Sequence, residues 1–126
     1  MLSVANLDVS IGAMRILRDV SLDVPGGTMV GLIGRNGAGK TTLMKAIMGL
    51  LKASGSVRFE NDELLRIATH ARARMGIGYM PEDRRLIPEL TVEENVLLPA
   101  WSARLPDTAG RLARTYRAIP DRKSVV

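Results

Sequence analysis

The stretch TMVGLIGRNGAGKTTLMKAIMGLL sets what this chain can fold into. A compact apolar run, residues 28–34, suits a strand buried on both faces. It leads directly into a glycine-rich loop. The loop leads into a segment whose apolar residues, Leu43, Met44, Ile47, Met48 and Leu51, recur along one helical face. Gly34 to Thr41 satisfies G-x-x-x-x-G-K-[ST] at every fixed position. The mechanism accounts for each residue. Backbone N–H groups from Asn36 through Ala38 to Thr42 turn inward only if the chain curls tightly, which Gly34, Gly37 and Gly39 permit. The helix beginning near Lys40 aims its positive end and free N–H groups at an anion. Lys40 is expected to reach the β- and γ-phosphates of a nucleoside triphosphate, Thr41 to ligate Mg²⁺ through its hydroxyl, and Thr42 to add a hydroxyl to the α-phosphate. A glycine turn before an ordinary helix is the bland alternative. The full pattern in a strand–loop–helix frame outweighs it.

Composition narrows the setting. With 126 residues, 46% apolar and 25% charged, the chain reads as one soluble globular domain. There is no cysteine, which removes disulfides, thiolate metal sites and cysteine nucleophiles together. The N-terminus MLSVANLDVS has neither the basic start nor the apolar stretch of a secretory signal. No run approaches the ~20 apolar residues that span a bilayer. A role at a membrane therefore requires another chain as anchor. The net charge of +5 comes from dispersed residues, and only 3% of the chain is aromatic. That combination fits a solvated, arginine-rich surface, with no stacking platform for nucleic acid.

The rest of the chain reads in order. LSVANLDVSI and RILRDVSLDV are two strands, and PGG at 25–27 is a turn. Gly55 is expected to stop the helix after the loop. SVRFE is a short strand and residues 61–62 a turn. ELLRIATHARARM is expected to form a helix with a polar, basic side, carrying the sole histidine, His70, as a surface residue. GIGYMP is expected to be another short strand, ended by Pro81. Thr91 with Glu94 three residues later forms a capping-box pattern that starts a helix. Pro99 should end that helix, and a last helix should cover residues 108–118.

The run from VANLDVSIGAMRILRDV through the loop to GSVRFEND resembles the first half of an ABC-type ATPase nucleotide-binding domain. IGYMPEDRRLIPELTVEENVLLPA extends the match through the segment called the Q-loop into the helical subdomain. Its wording is most similar to the ATPase subunits of branched-chain amino acid importers. The resemblance implies an α/β fold of the P-loop NTPase type with an N-terminal antiparallel β-subdomain. It divides the chain into residues 1–83, the β-subdomain and loop core, and 84–126, the start of the helical subdomain. It also implies ATP and Mg²⁺ as cofactors. Two positions depart from the family pattern. The glutamine that touches Mg²⁺ is replaced by Glu82, whose carboxylate can still ligate the ion, or which is simply a solvated side chain. The aromatic that stacks on adenine is replaced by Ile11, which packs on the base or serves as sheet core. A rival reading makes Asp83 the Mg²⁺ ligand of GYMPED, but Pro81 interrupts the strand just before it.

The family's signature loop, the Mg²⁺-holding acid at a buried strand end, the water-activating glutamate and the switch histidine do not occur in the sequence. The resemblance therefore implies the N-terminal portion of an importer's ATP-binding subunit, cut before the signature motif and unable to hydrolyse ATP alone. Its implied partners are integral-membrane permease subunits, met through Arg84, Arg85, Leu86 and Ile87, and a second ATPase subunit. Nucleic acid is not among them. The implied location is peripheral, on the cytoplasmic face of the inner (plasma) membrane. A nucleotide-binding module without hydrolysis, or another small P-loop NTPase or kinase, are the alternatives.

Overall fold

The computed structural model describes residues 1–119 except 38 and 84. The chain forms two compact units, Met1–Tyr79 and Met80–Val126.

The first unit is built on a hairpin. β1 (Leu2–Ile11) and β2 (Met14–Val24) pair antiparallel. β3 (Ser54–Phe59) adds to the other side of β1, and the short β4 (Asp62–Glu63) follows, giving the order β2-β1-β3-β4. The alternation in β1 changes phase once. Val4 is buried, and so are Leu7 and Val9, with a register shift between. Asn6 makes that shift, at φ 49°, and its amide donates to the carboxylate of Asp19 at 2.7 Å, itself at φ 49° on β2. The bulge keeps successive apolar residues on the core face although the strand period has slipped.

α1 (Lys40–Met48) lies on that face. Leu43, Ala46 and Ile47 join Val4, Leu7, Val9, Leu17, Val57 and Leu64 in one core. A 3₁₀ turn (Leu64–Arg66) and α2 (Thr69–Arg74) complete the unit. In the second unit α3 (Val92–Ser102) packs on α4 (Thr108–Ala118), burying Leu97 and Ala100.

Several expectations are corrected. Residues 28–34 are not a buried strand: Met29 is 98% and Ile33 96% exposed, and the run pairs with no strand among the described residues. Residues 76–81 likewise form no strand. An extended segment becomes a strand only when a neighbour supplies the ladder. The apolar pattern alone cannot provide one. α1 ends at Met48 with Gly49 as its cap, and Gly55 falls inside β3. The helix expected from Glu63 divides into the 3₁₀ turn and α2, because Glu63 turns its carboxylate onto the Leu65 N–H. Pro99 does not end α3, which continues to Ser102 and is closed by the Ala103 N–H on the Pro99 carbonyl at 3.0 Å. A proline removes one ladder bond, and the turns on either side persist here.

Candidate functional site

The site grows from the start of α1. Gly39 is its N-cap, at φ 94° and ψ 6°, and Gly37 lies at φ 85°. Both conformations belong to glycine. Gly39 also sits against β2: a Cβ there would meet Leu17 Cδ2 at 2.6 Å. Leu17 is thus a floor that presses the loop against the hairpin, a role the sequence did not signal. Gly34 serves differently. It offers its carbonyl to the Lys40 ammonium, which also donates to the Arg35 carbonyl at 3.2 Å. The lysine is folded back over its own loop.

The helix entrance is open. The first intrahelical bond of the loop end runs from Leu43 N–H to the Gly39 carbonyl at 2.8 Å. No side chain caps the entrance and no acid stands in the first turn. The N–H groups of Lys40, Thr41 and Thr42 therefore have no intrahelical acceptor. Thr41 is exposed and Thr42 half-buried beside them. Backbone donors, a helix dipole and a lysine converge without a carboxylate to compete, which is the chemistry of an anion cradle. The exposed Thr41 hydroxyl fits a single contact to a divalent cation beside such an anion. Among the described residues no group of three or more His, Cys, Asp or Glu gathers into a metal site.

The other end of α1 is clamped. Gly49 N–H bonds the Ala46 carbonyl at 3.0 Å and Leu50 N–H the Lys45 carbonyl at 2.9 Å. Arg72, 4% exposed, reaches in from α2 and donates to the Ile47 carbonyl at 2.6 Å and the Ala46 carbonyl at 3.3 Å. Burial lowers its pKa, and the charge of Glu63 opposes that. Thr69 donates to the Gly49 carbonyl at 2.9 Å. The sequence marked this helix only as basic, and nothing local distinguished Arg72 from its neighbours.

Ile11 closes β1 opposite Met14 across the hairpin end, and the two are 51% and 67% exposed. The sheet-core alternative for Ile11 is thereby excluded. Met14 lies three residues from Leu17, roughly 10 Å along the strand. An exposed apolar pair therefore stands on the hairpin that floors the loop. Asp8, beside it, accepts from Arg15 Nε at 3.0 Å; that bond is the main reason its carboxyl titrates below the usual value.

Glu82 is exposed and belongs to the second unit, as do Arg85, Leu86 and Ile87. Asp83 and Arg85 form an ion pair at 2.8 Å. Leu86 is 68% exposed and Ile87 38%. Ala38 and Arg84 lie outside the described residues. His70 is exposed, as expected.

An antiparallel sheet beside a glycine-rich loop that opens into an uncapped helix is an arrangement suited to holding a phosphate group. A sequence model described as "ABC transporter" matches residues 17–125, and the chain belongs to that family. It is 43% identical over 96 residues to a probable ABC transporter ATP-binding protein of Azorhizobium caulinodans, covering 75% of this chain and 34% of that protein. It is 38% identical to the lipopolysaccharide export system ATP-binding protein LptB of Escherichia coli K12, covering 76% of this chain and 40% of LptB. It is 36% identical to the high-affinity branched-chain amino acid transport ATP-binding protein BraG of Pseudomonas aeruginosa, over 95% of this chain and 52% of BraG. A solved structure of the ATP-binding subunit of an ABC transporter superposes with a TM-score of 0.76 at 36% identity, covering 85% of this chain and 44% of that one. The chain spans from about a third to just over half of the length of these relatives. Among the described residues no helix is long and apolar enough to cross a membrane.

Proposed function

We propose that the chain is the nucleotide-gripping portion of the energy-coupling subunit of an ABC importer for branched-chain amino acids. The observation that carries the nucleotide part is the uncapped entrance of α1, with Gly37 and Gly39 in left-handed conformations and Lys40 poised over the loop. On this reading Lys40 leaves the Gly34 and Arg35 carbonyls to pair with the β- and γ-phosphates. The N–H groups of Asn36 to Thr42, Ala38 included, wrap the phosphates, and Thr42 adds its hydroxyl to the α-phosphate. Thr41 offers its hydroxyl to Mg²⁺, and Ile11 packs on adenine; Glu82, in the second unit, carries the carboxylate that the family pattern assigns to the same ion. The bound Mg²⁺ supplies charge neutralisation across the phosphates.

The solute assignment leans on coverage. BraG, and the probable branched-chain amino acid transport protein LivF of Archaeoglobus fulgidus, match through 95% and 96% of this chain. LptB matches through 76%. The implied partners are permease subunits, contacted through the segment from Arg84 to Ile87, and a second ATPase subunit, at the cytoplasmic membrane face.

Titration with ATP–Mg²⁺ tests the reading. Lys40→Ala should abolish binding, and unchanged affinity would sink the phosphate-loop assignment. On a second reading the chain is a module that binds ATP without turning it over. The chain alone should release no phosphate above background. Steady release that disappears in Lys40→Ala would reject that expectation. In the intact transporter, uptake of radiolabelled leucine abolished by Lys40→Ala supports the amino acid assignment. No leucine uptake by the unaltered transporter counts against it.

A further inference from the structure

One side chain of α3 holds the backbone of the segment before it from four directions. Asn95 lies in the first turn of the helix and is half-buried. Its Oδ1 accepts from the Ile87 N–H at 2.9 Å. The two hydrogens of its Nδ2 are shared among three acceptors, the Ile87 carbonyl at 3.1 Å, the Leu90 carbonyl at 3.1 Å and the Thr91 carbonyl at 2.9 Å. One N–H and three carbonyls leave a single sensible orientation for the amide, because the reversed group would set donor against donor. Ile87 is gripped at both its N–H and its C=O, much as a neighbouring strand would grip it. The helix that carries Asn95 is itself fixed at its start by Thr91, whose hydroxyl accepts from Glu94 N–H at 3.2 Å, and by Glu94, whose carboxylate accepts from Thr91 N–H at 2.7 Å.

The held segment exposes apolar residues. Leu86 and Ile87 face solvent beside the ion pair of Asp83 and Arg85. Left free, two adjacent apolar side chains would turn inward against the nearest apolar surface. A polar anchor that satisfies the backbone around them keeps them outward. We infer that Asn95 is a positioning residue: it shapes the segment 85–91 so that Leu86 and Ile87 stay presented to the cytoplasmic loop of a membrane-embedded partner. This rests on the proposed permease contact of that segment and adds what sets its form.

The test uses the full-length subunit with its membrane partner. Three quantities are measured: ATP affinity, affinity for the detergent-solubilised partner, and hydrogen exchange at the Ile87 amide. Leu86→Asp addresses the docking reading and should abolish partner binding. Asn95→Ala should weaken partner binding about tenfold, leave ATP affinity unchanged and speed Ile87 exchange by at least about tenfold. Should that variant fail to fold, Asn95→Asp keeps the shape and the acceptor for Ile87 N–H while losing the donors, and is held to the same partner-binding criterion. Unchanged partner binding in the Asn95 variant, with Leu86→Asp disruptive, overturns the positioning role and spares the docking reading. Parallel loss of ATP and partner affinity reduces Asn95 to general stability and also overturns it. Intact partner binding in Leu86→Asp removes the docking reading and this inference with it.

Discussion

The guanidinium of Arg72 donates to the carbonyl of Ile47 at 2.6 Å, closing the far end of the helix whose near end stands uncapped behind the glycine-rich loop. Its Nε is meanwhile held by the Ile67 carbonyl at 2.9 Å. A buried cation on terminal carbonyls replaces the water those groups would otherwise keep.

Removing it strands those carbonyls. Arg72→Ala should destabilise the chain by about 2–4 kcal/mol, combining unsatisfied acceptors with a cavity. Arg72→Lys should recover only part, since an ammonium cannot serve Ile47 and Ile67 from one planar fork. Chemical denaturation measures both; a loss below about 1 kcal/mol for the alanine variant contradicts the clamp.

Gly39→Ala combines two penalties, the left-handed backbone and the contact with Leu17. It should cost about 2–3 kcal/mol and weaken ATP binding. Adding Leu17→Ala removes the clash but leaves the backbone strain. The double variant should therefore show less than the sum of the two single losses in a mutant cycle. Strict additivity would mean that Leu17 does not press on the loop.

Glu63 carries a pH dependence. Burial pushes its carboxyl up, but bonds from Ser56 Oγ, Val57 N–H and Leu65 N–H, with the charge of Arg66, outweigh it and leave the carboxyl below the ordinary 4.5. A folded value below the unfolded one gives stability that is present above pH 4.5 and lost as the pH falls through the folded value. Glu63→Gln should lower stability by about 1–2 kcal/mol at neutral pH. It should also flatten the acid limb of the stability curve, which urea melts between neutral and acid pH would reveal.

Ile11→Tyr restores a ring at the hairpin end. If Ile11 packs on adenine, ATP affinity should rise about threefold to tenfold through stacking, while inorganic triphosphate binds as before. Equal gains for both ligands would place the effect elsewhere.

What the sequence disclosed follows the range of the interactions involved. β1 and α4 were legible to the residue, because strand alternation and cap residues act within a few positions. The tight glycine turns at Gly37 and Gly39 and the helix start at Lys40 were legible because they depend on residues a few positions apart. Residues 28–34 were misread because burial of a strand depends on neighbours that the pattern does not supply. Arg72 was invisible for a related reason. Its acceptors on α1 lie 25 and 26 positions away, and its helix looked merely basic. Asn95 escaped notice although the capping box beside it was read correctly; a single amide gives no hint of which backbone it will hold.

The uncovered run TMVGLIG has a consequence for handling the chain. It is uncharged, free of proline and β-prone, the composition of segments that stack into cross-β ladders. During synthesis it emerges after the hairpin and before α1, and it is bare throughout that interval. A holdase chaperone that binds short apolar stretches would find its target there, and the yield of soluble chain should depend on how long that interval lasts.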